Sequence, residues 1–130
     1  MDQEPLVEAQ IEEGLAFAKS IDPLLGVKAA YWLKVPDRAD WRLHIVTEKV
    51  KDDGKFEFYP ELIRTYLDGD FQSLSSDQLT LDLENDRIGR NVVEFKNKYM
   101  TTKAKQLRNQ PIGGEYIHGA YIYAYPPSSN

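Results

Sequence analysis

Two stretches of period-two alternation flank a five-residue turn, and no other feature of the chain constrains its fold as strongly. Val27, Ala29, Tyr31, Leu33 and Val35 alternate with Lys28, Ala30, Trp32 and Lys34. Trp41, Leu43, Ile45 and Thr47 alternate with Arg42, His44, Val46 and Glu48. Between them lie Pro36-Asp37-Arg38-Ala39-Asp40, residues that favour turns. Successive side chains of a strand point to opposite faces, so the pattern predicts a β-hairpin over 27–35 and 41–49. With Val35 opposite Trp41, Leu33 faces Leu43 and Tyr31 faces Ile45 on the core side. The other side then carries Lys28, Trp32, Lys34, Arg42 and His44, with Trp32 opposite His44 and Lys34 opposite Arg42.

The remaining elements follow from spacing. Val7, Ile11, Leu15 and Ala18 recur at helical intervals over residues 5–21, ahead of the stop Asp22-Pro23. Gly14 in that helix suggests close packing on a sheet, because glycine otherwise weakens a helix by about 1 kcal/mol relative to alanine. Lys51-Asp52-Asp53-Gly54-Lys55 reads as a turn. Pro60 opens a second helix, 60–68, with an apolar stripe of Leu62, Ile63, Tyr66 and Leu67 beside Tyr59, and Gly69 ends it. Leu79, Leu81 and Leu83 alternate with Thr80 and Asp82 as a short strand. Glu84-Asn85-Asp86 caps a third helix, 86–99, whose stripe is Ile88, Val92, Phe95 and Tyr99. One short strand is expected near Lys105–Arg108 and a final strand over 115–125. The order α-β-β-α-β-α-(β)-β predicts an α+β fold: a single mixed or antiparallel sheet of four to five strands, with three helices packed on one face. Residues 1–125 form the single domain, and 126–130 are expected to be a flexible tail.

Composition sets the limits on chemistry. Among 130 residues there is no cysteine, which removes disulfides, thiolate catalysis and cysteine-ligated metals. No apolar run reaches membrane-spanning length, and the acidic first residues lack the apolar core of a signal peptide, so a cytoplasmic location is expected. The net charge of −5 is unevenly spread. Residues 1–86 hold 9 basic and 19 acidic side chains, a balance of −10. Residues 87–108 hold Arg87, Arg90, Lys96, Lys98, Lys103, Lys105 and Arg108 against Glu94 alone, a balance of +6. A basic block in an acidic chain points to an anionic partner, or to a solvated face that offsets acidic neighbours.

Catalytic signatures are sparse. The two histidines, His44 and His118, lack metal-ligand spacing, and no nucleophile elbow, phosphate-binding loop or dinucleotide fingerprint is present. Glu94-Phe95-Lys96, with Asp37, superficially matches a magnesium nuclease, but it lies within a helix and Phe95 belongs to the apolar stripe. Asp82, Glu84 and Asp86 stand at a strand end, where solvation and helix capping account for them as well as a hard cation does. No cofactor, metal or catalytic residue is assigned.

The stretch Gly114-Glu115-Tyr116-Ile117-His118-Gly119-Ala120-Tyr121-Ile122-Tyr123 resembles the C-terminal strand of many small bacterial proteins of unassigned function. The acidic first helix, Tyr31-Trp32-Leu33 and Trp41-Arg42-Leu43 are similar to their N-terminal part. The resemblance spans most of the chain, rests on structural motifs, and implies an α+β fold in a bacterial or phage setting without an activity.

Two surfaces remain. Trp32, Tyr121, Tyr123 and Tyr125 form an aromatic set suited to a protein interface, including a homodimer through the last strand. Lys28, Lys34, Arg42 and His44, extended by Arg87, Arg90, Lys98, Lys103, Lys105 and Arg108, form a set suited to nucleic acid or another anion. The expected function is a non-enzymatic protein-interaction or regulatory module. Nucleic-acid binding is the alternative, and an unrecognised metal-dependent enzyme is the third reading. No membrane partner is expected.

Overall fold

Strand β1 (Val27–Lys34) is buried along most of its length on both faces, and the rest of the chain is arranged around it. The computed structural model describes residues 6–34, 41–48, 57–83, 87–100, 103–112 and 114–126. Helix α1 (Glu8–Leu25) leads into β1, which pairs antiparallel with β2 (Trp41–Thr47). Helix α2 (Tyr59–Asp68) and the 3-10 turn Ser76–Gln78 precede β3 (Leu79–Leu83). Helix α3 (Arg87–Tyr99) and the antiparallel pair β4 (Lys105–Ile112) and β5 (Glu115–Ile122) complete the fold. The sheet order is β3-β2-β1-β5-β4, with β2 and β3 parallel and the other pairs antiparallel. This is the α+β mixed sheet with three helices that the spacing predicts.

The helices do not share one face. Phe17, Ala18, Ile21 and Leu25 of α1 and Leu62 of α2 pack with Ala30, Trp32, Leu43 and Ile45 on one side. Val92 of α3 packs with Ala29, Tyr31, Val46, Leu107, Ala120 and Ile122 on the other. A two-layer arrangement is therefore replaced by helices on both sides. The reason lies in β1: Ala29 and Ala30, Tyr31 and Trp32 are all apolar, so neither face of the strand is content in water.

The hairpin register also differs from the expected one. Lys34 pairs with Trp41, Leu33 with Arg42, Trp32 with Leu43 and Tyr31 with His44. This is one residue from the register that places Val35 opposite Trp41, and a one-residue slip sends each side chain of one strand to the opposite face relative to its partner. A shift between Val27 and Ala29 puts Val27 on the same side as Ala30. Trp32 is fully buried, not on an outer face.

Helix α1 begins at Glu8 and runs past Asp22-Pro23 to Leu25. Pro23 lacks one N–H, but the Gly26 N–H closes on the Asp22 carbonyl, and the Asp22 carboxylate accepts the Val27 N–H at 2.7 Å. Strand β4 extends to Ile112, beyond the short strand expected at Lys105–Arg108. The turns expected at 36–40 and 51–55, the Glu84-Asn85-Asp86 cap and most of the 126–130 tail lie outside the described residues.

Candidate anion-binding groove

Each helical layer covers only part of its side of the sheet, so two stretches of sheet present polar side chains. Helix α1 lies over β1 and β2, and α3 lies over β1, β5 and β4. The parts that the described helices cover least are β4 and the 117–119 stretch of β5 on the α1 side, and β2–β3 on the α3 side.

On the α3 side, Arg42 and His44 of β2 stand beside Thr80 and Asp82 of β3, with His44 paired to Thr80. Asp82 is buried and accepts the Tyr31 hydroxyl at 2.7 Å. His44 Nδ1 lies 3.1 Å from the same carboxylate oxygen, and its ring stacks on Tyr31 with centroids 4.9 Å apart. Arg42 Nε donates to Thr80 Oγ1 at 3.3 Å. The carboxylate orients the imidazole through Nδ1. His118 is on β5 and takes no part, so the two histidines do not converge. Among the described residues no three metal-ligating side chains cluster.

On the α1 side, β4 and β5 form one wall of a groove of about 340 Å³. Gln106, Arg108 and Asn109 of β4 and His118 and Gly119 of β5 line it, with Lys34 and Trp41 from the adjoining ends of β1 and β2 and Leu6 ahead of α1. Local backbone brings these together. Leu107 and Ile112 reach the same core cluster although five residues apart, as do Ala120 and Ile117, three apart. Strict alternation forbids both, so the strand pair changes phase between them. Asn109, at φ 47°, lies in the left-handed region that asparagine tolerates and marks the change. Gly119 eases the approach: a Cβ there would stand 3.2 Å from the Trp41 ring and 3.4 Å from the Lys34 Cβ, a tight contact. Without one, the Trp41 indole lies over β5 with the Lys34 ammonium 5.9 Å from its centre.

The polar part of the lining is two cations, a histidine and two side-chain amides, beside Leu6, Trp41 and Leu107. Among the described residues, no acidic side chain lines it. Arg108 is exposed, and Tyr116, also exposed, meets the His118 ring edge-on at 4.8 Å.

The expected sets are thus redistributed. Of the anion set, the groove unites Lys34 and Arg108. Arg42 and His44 are on the other side of the sheet, and Lys28 is 3.7 Å from Glu48. Arg87, Arg90 and Lys98 are exposed on α3, while Lys103 and Lys105 are exposed at the start of β4. Lys96 is buried, donates to the Pro126 carbonyl at 2.7 Å, and has its pKa lowered by burial and then by the charge of Lys28.

Of the aromatic set, Trp32 and Tyr123 are buried and hydrogen-bonded to each other at 2.8 Å, so neither presents a contact surface. Tyr121 and Tyr125 are half-buried against the α1 core, and the Tyr125 hydroxyl donates to Asp22. Strand β5 lies between β1 and β4, with its Ala120–Ile122 end paired to β1. Gln106, Asn109 and His118 join the groove although their sequence context does not mark them for anion binding. Only the Asn at a strand kink and the His-Gly step, read together, could have signalled them.

No helix of the described residues is long and apolar enough to cross a membrane. No protein-family model matches the chain, and no curated protein or solved structure does.

Proposed function

We propose that this protein is a non-enzymatic binding module that takes an anionic ligand into the Lys34–Arg108–His118 groove. The observation that carries the reading is the union of cations from strands distant in sequence, with amide donors and, among the described residues, no acid, in one concave site. Concavity and a few convergent polar groups are what ligand sites share. Arg108 offers a planar fork suited to carboxylate or phosphate, and Lys34 adds a charge fixed by its packing on Trp41. Nucleic acid is a weaker fit, because Trp32 and Trp41 are buried and Tyr116 is the one strongly exposed aromatic among the described residues.

Titration of the isotope-labelled protein with sodium tripolyphosphate at about 50 mM salt, where charge contacts are strong, tests the reading. Amide shifts confined to residues 34, 106–109 and 118–119, and lost in Arg108→Glu, are expected. Shifts centred on Arg87, Arg90 and Lys98, or no shifts, would overturn it.

A further inference from the structure

We infer that the ligand is an extended acidic peptide, which adds as a strand to the outer edge of β4 and places a carboxylate in the groove. This rests on the anion-binding reading above and specifies its partner. Strand β4 is the last of the sheet, and no described residue pairs with its outer side. An edge strand offers a row of backbone donors and acceptors, which strand addition uses for affinity while side-chain sites supply selectivity. Here the groove adjoins that edge: Gln106 and Arg108 belong to β4 itself, and His118 is one strand further in. A peptide strand would lie about 4.8 Å beyond β4, so every second side chain would project beside Arg108.

The charge of the edge selects the occupant. Lys103, Lys105 and Arg108 are all exposed, and Glu115 on β5 is the only acidic residue from 103 to 126. A second copy pairing β4 against β4 would gather these like charges along one edge, which disfavours a dimer here. An acidic strand meets the same groups with opposite charge. The left-handed Asn109 and Pro111, which lacks an N–H, limit the regular pairing stretch to the four residues Lys105–Arg108. A short segment therefore fits better than a sheet.

The test uses an acetylated octapeptide alternating Glu and Thr, followed by calorimetry and amide shifts on the full chain. Two further versions carry N-methyl groups on the odd or on the even amides. Binding is expected to fall at least ten-fold in Arg108→Glu and with one methylated version, and to survive in the other. Equal tolerance of both methylated versions would overturn strand addition. Binding of tripolyphosphate but not of the peptide would overturn this inference and leave the groove reading standing, whereas failure of both anions would remove both. Tighter binding of oligo-dT than of the peptide, lost in Arg108→Glu, would overturn the peptide assignment in favour of nucleic acid. Arg108 is exposed on an edge strand, so its replacement leaves the core intact.

Discussion

Gly14 shows how one residue can be set by its neighbours across the core. A Cβ at this position would lie 2.5 Å from the Tyr123 hydroxyl and 2.9 Å from Trp32 Nε1. That hydroxyl cannot retreat freely, because it accepts the Trp32 N–H and donates to the Ile11 carbonyl of the same helix. Helix propensity alone favours Gly14→Ala by about 1 kcal/mol. Overpacking a tight core costs about 1–3 kcal/mol, and displaced buried hydrogen bonds add to it. We expect Gly14→Ala to be destabilising by about 2 kcal/mol in urea unfolding, and the double variant with Tyr123→Phe to recover part of the loss. A stabilised Gly14→Ala would show that the close approach is not maintained. The sequence marks this glycine as a packing residue, since a helix otherwise tolerates it at a loss. It does not say what packs there: Trp32 and Tyr123 are 91 residues apart and meet only in the sheet.

At the scale of elements, Glu13 ties the loop after α2 to α1. One of its carboxylate oxygens accepts the backbone N–H groups of Gln72, Ser73 and Leu74, each at 2.9 Å. This carboxylate reads in sequence as one more charge on the polar side of a helix. Its partners are some sixty residues away and are backbone groups, which leave no trace in residue identity. Hydrogen bonds to a charged group contribute about 1.5–3 kcal/mol, and the half-exposed loop has water as a substitute partner. Glu13→Ala is expected to cost about 2 kcal/mol and to release the amides of 72–74 to rapid hydrogen exchange, with Glu13→Gln intermediate. Unchanged exchange at those amides would show that the loop holds without it. The hairpin is the converse case. Its two strands are plain in the alternation, but their register is not. With Ala29, Ala30, Tyr31 and Trp32 all apolar, β1 carries no contrast between a wet and a dry face to set it.

Across the whole molecule, three tyrosines join β5 and the residues after it to α1, and their ionisation couples to folding. Burial raises the pKa of Tyr121 and raises that of Tyr123 further. Tyr125 is pushed up to about 12 by burial and by its bond to the Asp22 carboxylate, which an ionised phenol would repel. In the unfolded chain all three titrate near the ordinary value of about 10. Above that pH the unfolded state gives up protons that the folded state keeps, so stability falls as pH rises. The contribution is complete below about pH 10 and is lost progressively towards and beyond pH 12. We expect the urea midpoint to decline over that range and the slope to be shallower in Tyr125→Phe. A wild-type midpoint that is flat to pH 12 would contradict the raised values.

The kinds of element and their order are legible in the residues alone, because period-two and helical spacing are local properties of the chain. So are the charge asymmetry and the absence of cysteine chemistry. Tertiary structure alone decided which strands are neighbours, the hairpin register and the burial of Trp32 and Tyr123. It also separated His44 from His118 and brought Lys34 to Arg108. Those outcomes depend on β5 inserting between β1 and β4 and on a phase change at Asn109. Both are settled by packing between residues far apart in sequence, where burying apolar area on two sides of one strand outweighs any local preference.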